Sequence, residues 1–160
     1  MIGDSGLVWS PGTVVRGHRV ASGLGGDPRF PEGTIRPQLA AFGQLVPGFA
    51  EWLGGAPHPA TINVRLEGGT IRLGEPEHRT GPVSWTDHFP PENFLLSRCL
   101  LEHGGMQHPA FLYVPDPATK PDHHQPADIM EVLAALVPGL SYGAGVAIGR
   151  SPGRFELVPA

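Results

Sequence analysis

A glycine-rich stretch near the start of the chain carries the clearest chemical signal in the sequence. An apolar run containing Val14, Val15 and Val20 leads directly into Ser-Gly-Leu-Gly-Gly at residues 22–26. Glycine amides can form a concave nest around an anion, because no Cβ atom blocks the approach of a phosphate. The stretch therefore predicts a phosphate-binding loop that follows a strand. The alternative is a simple turn, since the motif has neither the dinucleotide-binding spacing nor the P-loop spacing.

A second candidate site is the pair Thr61 and Asn63. They lie in residues 60–66, where apolar and polar side chains alternate as in a half-buried strand, so both project from its polar face. A hydroxyl and an amide oxygen in this arrangement can hold a hard cation such as Mg²⁺, which keeps several waters and takes further ligands from phosphates. The alternative is a ladder of Thr and Asn hydrogen bonds between neighbouring strands.

Other common catalytic and metal sites are disfavoured by residue type and spacing. Cys99 is the single cysteine and stands in an apolar segment, which predicts a buried structural thiol and excludes an internal disulfide or a multi-cysteine zinc site. His123 and His124 are adjacent, and the eight histidines form no HxH or HxxxH pair suited to zinc. Ser22 lacks the glycine pattern of a serine hydrolase nucleophile elbow.

Length and composition restrict the fold class and the kinds of partner. The chain has 160 residues, only 16% of them charged, and its 23 Gly and 19 Pro leave little room for long helices, which predicts one domain, either a β-rich barrel or a compact α+β fold. A net charge of −4 argues against nucleic-acid binding. No apolar run is long enough to span a membrane and no signal peptide is evident, so we expect a soluble, cytoplasmic protein. The oligomeric state stays open.

The order of predicted elements begins with a loose lead-in over residues 1–12 and a strand over residues 13–21. Apolar residues then recur at helical spacing within residues 36–53, and Pro47 interrupts them, which predicts two short helices or one broken helix. Further strands are predicted at residues 60–66, 70–73, 81–85, 94–101, 111–114 and 145–148, with a turn at residues 103–105.

The last part of the chain is predicted to contain a helix. Asp128 is a suitable N-cap for residues 128–136, where apolar residues again recur, and Pro138 with Gly139 would end the helix. Residues 149–160 have the pattern of a tail. The predicted domain therefore spans residues 13–148.

The glycine stretch and the segment around Thr61 together resemble the archaeal CTP-dependent riboflavin kinase family. That family reads close to SGLGEG, followed at similar separation by LGFxPYxGTLNVxL, where this chain has Leu-Gly at 53–54 and Pro-His-Pro-Ala-Thr-Ile-Asn-Val-Arg-Leu at 57–66. Weaker similarities link residues 80–83 to its FGxV strand, 110–115 to its AIVVP strand and 126–133 to its EIIEII segment. The resemblance extends over nearly the whole chain.

This resemblance implies a single-domain cradle-loop β-barrel with kinase activity. The reaction would transfer the terminal phosphoryl group of CTP to the primary hydroxyl of riboflavin, giving FMN, with Mg²⁺ as cofactor. Catalysis would depend on positioning by Gly23, Gly25 and Asn63 and on charge neutralisation. Matched position by position, the nucleotide-binding residues are Ser22, Gly23, Leu24, Gly25 and Gly26, the magnesium ligands are Thr61 and Asn63, and the flavin contacts are Thr119 and Glu131.

The chain also departs from the family pattern. Asp27 replaces a loop glycine and would place a negative charge beside a polyphosphate, and Ala60 replaces the glycine before the threonine. Residues 136–139, Leu-Val-Pro-Gly, replace a basic nucleotide-binding segment, and the loop at residues 116–124 is longer and would reshape the acceptor pocket. These departures leave the nucleotide and the acceptor open. They favour a second hypothesis, in which the barrel binds a nucleotide, a flavin or another metabolite without catalysis or acts on a different small molecule.

Overall fold

The computed structural model describes residues 6–16, 28–30, 33–116 and 128–159, which form nine strands and two short helices. The strands are β1 (Val8–Val15), β2 (Ile62–Leu66), β3 (Gly69–Leu73), β4 (His78–Arg79), β5 (Phe94–His103), β6 (Met106–Pro115), β7 (Ile129–Ala134), β8 (Gly145–Arg150) and β9 (Phe155–Pro159). The helices are α1 (Ile35–Leu45) and α2 (Phe49–Leu53). The prediction of a mainly β domain with short helices is therefore confirmed.

Six of the strands close into an antiparallel barrel. Their order is β5-β6-β7-β2-β1-β8, and β8 pairs back with β5 to complete the ring. The two-residue strand β4 pairs with β5, and β3 pairs with β9 in a separate two-stranded sheet. Closure leaves the barrel strands without a free edge, which satisfies their backbone hydrogen bonds. The predicted β-barrel is confirmed.

Alternate residues of the barrel strands fill its interior. Val14, Val64 and Met130 lie opposite one another on β1, β2 and β7, and none of them is more than 5% exposed. Because side chains alternate across a strand, Asn63 on β2 faces outwards. Cys99 is an interior residue, as its apolar context predicts, and burial raises the pKa of its thiol to about 12.

The helices cover the outer face of β5, β6 and β7. Phe42 of α1 packs edge to face against Phe94, with ring centroids 5.2 Å apart, and Phe49 of α2 stacks on Phe111 at 5.0 Å. Gly48, between the helices, has a φ of 72°, a backbone conformation that glycine adopts without strain. The prediction of two short helices within residues 36–53 is confirmed.

The prediction of a helix over residues 128–136 is wrong, because this segment contains strand β7. Met130 and Val132 fill the barrel interior, while Leu133 is buried on the outer face in the cluster that includes Phe42 and Phe111. A strand buried on both faces shows a continuous apolar run instead of a clean alternation, so its pattern is easily confused with that of a buried helix. Glu131 therefore lies on a strand.

The first strand begins earlier than predicted. Its predicted start at residue 13 is wrong, since β1 begins at Val8 and pairs with β8 from Val8–Arg150 onwards. Pro11 and Gly12 suggest a turn, but Gly12 is required within the strand by close packing. A Cβ atom there would lie 2.7 Å from Val64 Cγ1 and 2.8 Å from the Arg65 carbonyl oxygen.

Two further element predictions need correction. Residues 149–160 are not only a tail, because β9 pairs along its length with β3, from Gly69–Pro159 to Leu73–Phe155. The strand predicted at residues 81–85 is reduced to a single bridge between Val83 and Glu92. Pairing with a distant segment decides whether such short stretches become strands, and the local sequence does not contain that information.

Arg150 ties the two ends of the described chain to the barrel. It is 7% exposed, and its guanidinium donates hydrogen bonds to Ser10 Oγ at 2.6 Å, the Phe155 carbonyl oxygen at 3.0 Å and the Val8 carbonyl oxygen at 3.4 Å. A buried cation with three acceptors holds β1, β8 and β9 together. Removing it leaves the acceptors without a donor, and burial makes that loss costly.

We expect Arg150→Met to lower the free energy of unfolding by about 3 kcal/mol, as measured by urea denaturation. Arg72→Met is the matched control, since Arg72 pairs with Glu156 on the surface with 69% of its side chain exposed. That control should lose less than about 1 kcal/mol. Equal losses in the two variants would contradict the role given to Arg150.

Candidate functional site

The site begins where β2 lies between β1 and β7. Asn63 is directly opposite Val15 on β1 and Glu131 on β7, and Tyr113 on β6 is directly opposite Glu131. Side chains at directly opposed positions project from the same face of a sheet. Asn63, Glu131 and Tyr113 therefore form a polar row across three neighbouring strands, on the outer face of the barrel.

Thr61 joins this row at its β2 end. Its Oγ1 donates a hydrogen bond to Glu131 Oε1 at 3.3 Å, and Asn63 beside it is only 8% exposed. A hydroxyl, an amide and a carboxylate are thus brought together by residues that are far apart in the chain. The two predicted magnesium ligands, Thr61 and Asn63, are neighbours in the structure. Glu131, expected only as a flavin contact, lies with them.

Tyr113 and Gln38 extend the row beneath helix α1. The Tyr113 hydroxyl donates to Gln38 Oε1, and both residues are buried. Burial raises the pKa of Tyr113 well above its usual value, and the negative charges of Glu131 and Glu92 raise it further. The tyrosine therefore stays a protonated donor. Neither residue was predicted from the sequence, where the one available signal was a glutamine among the apolar positions of α1.

A cavity of about 590 Å³ opens beside Thr61 and Asn63. Its wall is mostly apolar, with Leu136 and Tyr142 strongly exposed at 68% and 59%. The positively charged side chain among the described lining residues is Arg36, and His58 is the other basic group. The described residues that line the cavity are Val14, Val15, Arg36, His58, Pro59, Ala60, Thr61, Ile62, Asn63, Ala134, Ala135, Leu136, Val137, Leu140, Ser141 and Tyr142.

The side-chain oxygens of Thr61 and Asn63, which line this cavity, and of Glu131, which accepts a hydrogen bond from Thr61, fit Mg²⁺. This ion takes hard oxygen ligands, usually one or two carboxylates together with waters and substrate phosphates. The Thr61 hydroxyl, the Asn63 amide oxygen and the Glu131 carboxylate are of that type, and the Thr61–Glu131 hydrogen bond shows that two of them already lie within contact distance. The Thr61–Glu131 hydrogen bond also agrees with the alternative, a hydrogen-bonded ladder of polar side chains between neighbouring strands.

The predicted nucleotide loop, residues 22–26, lies outside the described residues, as do Asp27 and Thr119. The described residues on either side of the glycine segment are nonetheless held by packing and pairing. Val15 pairs with Asn63 on one side, and Phe30, 6% exposed, packs against Trp85 with ring centroids 5.3 Å apart on the other. Strand β1 thus ends beside Asn63.

The partner of that aromatic contact is itself fixed. Trp85 Nε1 donates to Glu92 Oε2 at 2.6 Å, and Glu92 is 3% exposed. Phe89 and His88 also contact Phe30, at centroid distances of 5.5 Å each. An aromatic pair contributes about 1 kcal/mol beyond its buried area, so this cluster anchors the chain that follows the glycine segment.

Comparisons with known proteins give the chain no family. It matches no protein-family model and no curated protein. Among the described residues, no helix is long and apolar enough to cross a membrane. The chemistry of the chain is therefore inferred from the geometry of Thr61, Asn63, Glu131 and the adjoining cavity.

Proposed function

We propose that this chain is a Mg²⁺-dependent kinase of the cytoplasm. It transfers the terminal phosphoryl group of a nucleoside triphosphate, CTP by resemblance, to the primary hydroxyl of riboflavin or a related small molecule. The observation that carries the proposal is that Thr61 and Asn63 line a cavity and that Glu131 lies beside both, accepting a hydrogen bond from Thr61 and standing opposite Asn63. The glycine stretch that resembles a nucleotide loop follows β1 in the sequence, and β1 ends at Val15, opposite Asn63.

Each residue of the site has a role that suits its chemistry. By resemblance, Thr61 and Asn63 would hold the metal ion, and the amides of residues 22–26 would bind the phosphates. Bound Mg²⁺ supplies charge neutralisation as the phosphoryl group moves. Glu131 accepts a hydrogen bond from the attacking hydroxyl and orients it. Its link to Thr61 keeps the carboxylate in place.

The proposed transfer balances in one step. The acceptor hydroxyl oxygen bonds to the terminal phosphorus while the bond from that phosphorus to the bridging oxygen of the donor breaks. The donor leaves as a nucleoside diphosphate, and the hydroxyl proton passes to the Glu131 carboxylate and then to solvent. The reaction therefore needs no covalent intermediate on the protein.

The direct test is an assay for FMN. The protein is incubated with riboflavin, Mg²⁺ and, in separate reactions, CTP, ATP, GTP or UTP, and the flavins are separated by chromatography. We expect FMN to form with at least one nucleotide and to disappear when the metal is chelated with EDTA. The kinase proposal is wrong for riboflavin if no nucleotide yields FMN.

The mostly apolar cavity wall favours a second candidate function. Residues Leu136, Val137 and Leu140 offer no charge to a nucleotide, and such a wall also suits a non-catalytic barrel that binds a flavin or another metabolite. Calorimetric binding of riboflavin or a nucleotide without phosphoryl transfer from any nucleotide would support this candidate. Transfer to another acceptor, detected as nucleoside diphosphate release, would instead support a kinase with a different substrate.

A further inference from the structure

Arg36 occupies a position that the resemblance does not account for. It is the second residue of α1, is exposed, and lines the cavity together with Thr61 and Asn63. The ion pairs in the described part of the chain involve Arg65, Arg72, Arg79 and Arg98, and none includes Arg36. Its charge is therefore available to a ligand in the cavity.

The rest of the proposed donor site is poor in positive charge. The glycine stretch at residues 22–26 contains no Lys or Arg, and Asp27 after it is acidic. Residues 136–139 of the cavity wall are Leu-Val-Pro-Gly. A nucleoside triphosphate carries more negative charge than a single divalent cation neutralises, and desolvating that charge in a mostly apolar cavity is costly. A cation in the cavity wall would offset part of the negative charge that remains.

We propose that Arg36 binds the polyphosphate of the donor and takes the place of a basic segment at residues 136–139. A guanidinium can donate two parallel hydrogen bonds to phosphate oxygens, and unlike His58 it keeps its charge at every physiological pH. This role rests on the kinase function proposed above. It assigns donor binding to helix α1 and places the phosphates between Arg36 and the Thr61–Asn63 pair, which line the same cavity.

The test compares nucleotide binding in Arg36→Gln, Arg36→Lys and the wild type by calorimetry, with CTP and Mg²⁺, with inorganic tripolyphosphate, and with riboflavin alone. Arg72→Gln is the control, since this exposed arginine lies on β3 in the sheet outside the barrel. We expect Arg36→Gln to raise the Kd for CTP roughly 30-fold and for tripolyphosphate by a similar factor. Arg36→Lys should bind CTP more tightly than Arg36→Gln and more weakly than the wild type, because lysine keeps the positive charge but cannot donate the two parallel hydrogen bonds of a guanidinium.

Further measurements distinguish failure of the role of Arg36 from failure of the kinase function. In Arg36→Gln the Kd for riboflavin should be unchanged, and added salt should weaken CTP binding less than in the wild type. A Kd for CTP within about twofold of the wild type would overturn the role of Arg36 while leaving the kinase function standing. Absence of nucleotide binding in the wild type itself would overturn the kinase function, and this role with it.

Discussion

Asn63→Ala is expected to reduce Mg²⁺-dependent phosphoryl transfer by at least about 1,000-fold. Asn63 is 8% exposed, lines the cavity and lies directly opposite Glu131. Alanine removes the amide oxygen that we assign to the metal, and the remaining Thr61 hydroxyl is a weak ligand alone. Initial rates of FMN formation, measured at saturating nucleotide and a series of Mg²⁺ concentrations, give the change.

The control for this variant lies on the same strand. Arg65→Ala changes the next outward-facing residue of β2, whose side chain is 53% exposed and pairs with Asp128 at 3.2 Å. It should keep activity within about twofold of the wild type. Thermal unfolding checks that Asn63→Ala still folds. A folded Asn63→Ala protein with undiminished Mg²⁺-dependent turnover would refute the metal assignment.

Glu131→Gln is expected to lower kcat by about 100-fold to 1,000-fold and to change the KM for nucleotide much less. The substitution keeps the size of the side chain and a hydrogen-bonding oxygen for Thr61, so it removes mainly the negative charge. A neutral amide orients the acceptor hydroxyl poorly and cannot take its proton. Steady-state kinetics with the acceptor and the nucleotide varied in turn separate kcat from each KM.

Two further variants serve as controls for the loss of the Glu131 carboxylate. Glu131→Asp, which keeps the carboxylate, should retain more activity than Glu131→Gln. Glu156→Gln, at an exposed position on β9, should behave as the wild type. If Glu131→Gln keeps more than about a third of the wild-type kcat, the carboxylate does not act on the hydroxyl and Glu131 is only a structural partner of Thr61.

The parts of the fold that the sequence predicts well are those in which one face of an element is buried and the other is solvated. Residues 60–66 alternate because β2 has the barrel interior on one side, and the strand is found at Ile62–Leu66. The turn predicted at residues 103–105 joins β5 and β6 at Gly104 and Gly105, both with positive φ. At these positions the local sequence pattern is enough to predict the element that forms.

Elsewhere, distant contacts decide the structure. Strand β7 is buried on both faces, which hides its period, and Gly12 belongs to a strand because β2 approaches it closely. Strand β9 exists because β3, far away in the chain, pairs with it. No pattern within these short segments reveals such partners, since strand formation depends on cross-strand packing.

The candidate site likewise combines residues that a local pattern identifies with residues that only distant contacts bring together. The sequence identifies Thr61 and Asn63 as a pair because two residues on one face of a strand are necessarily close. Glu131, 70 residues from Thr61 in the chain, joins them only through the register of β2 and β7. Arg36 lines the same cavity as Thr61 and Asn63, because α1 packs beside it. Residues from separate elements can be assembled only once the topology is known.

We propose above all that Thr61, Asn63 and Glu131 form the polar end of a site for a nucleotide with its metal ion. Calorimetric titration of CTP into the wild type and Asn63→Ala, each with Mg²⁺ and with EDTA, tests this site most directly. We predict binding to the wild type that depends on Mg²⁺ and is lost in Asn63→Ala. Equal affinity in the two proteins, or affinity in the wild type that EDTA leaves unchanged, would contradict the proposed site.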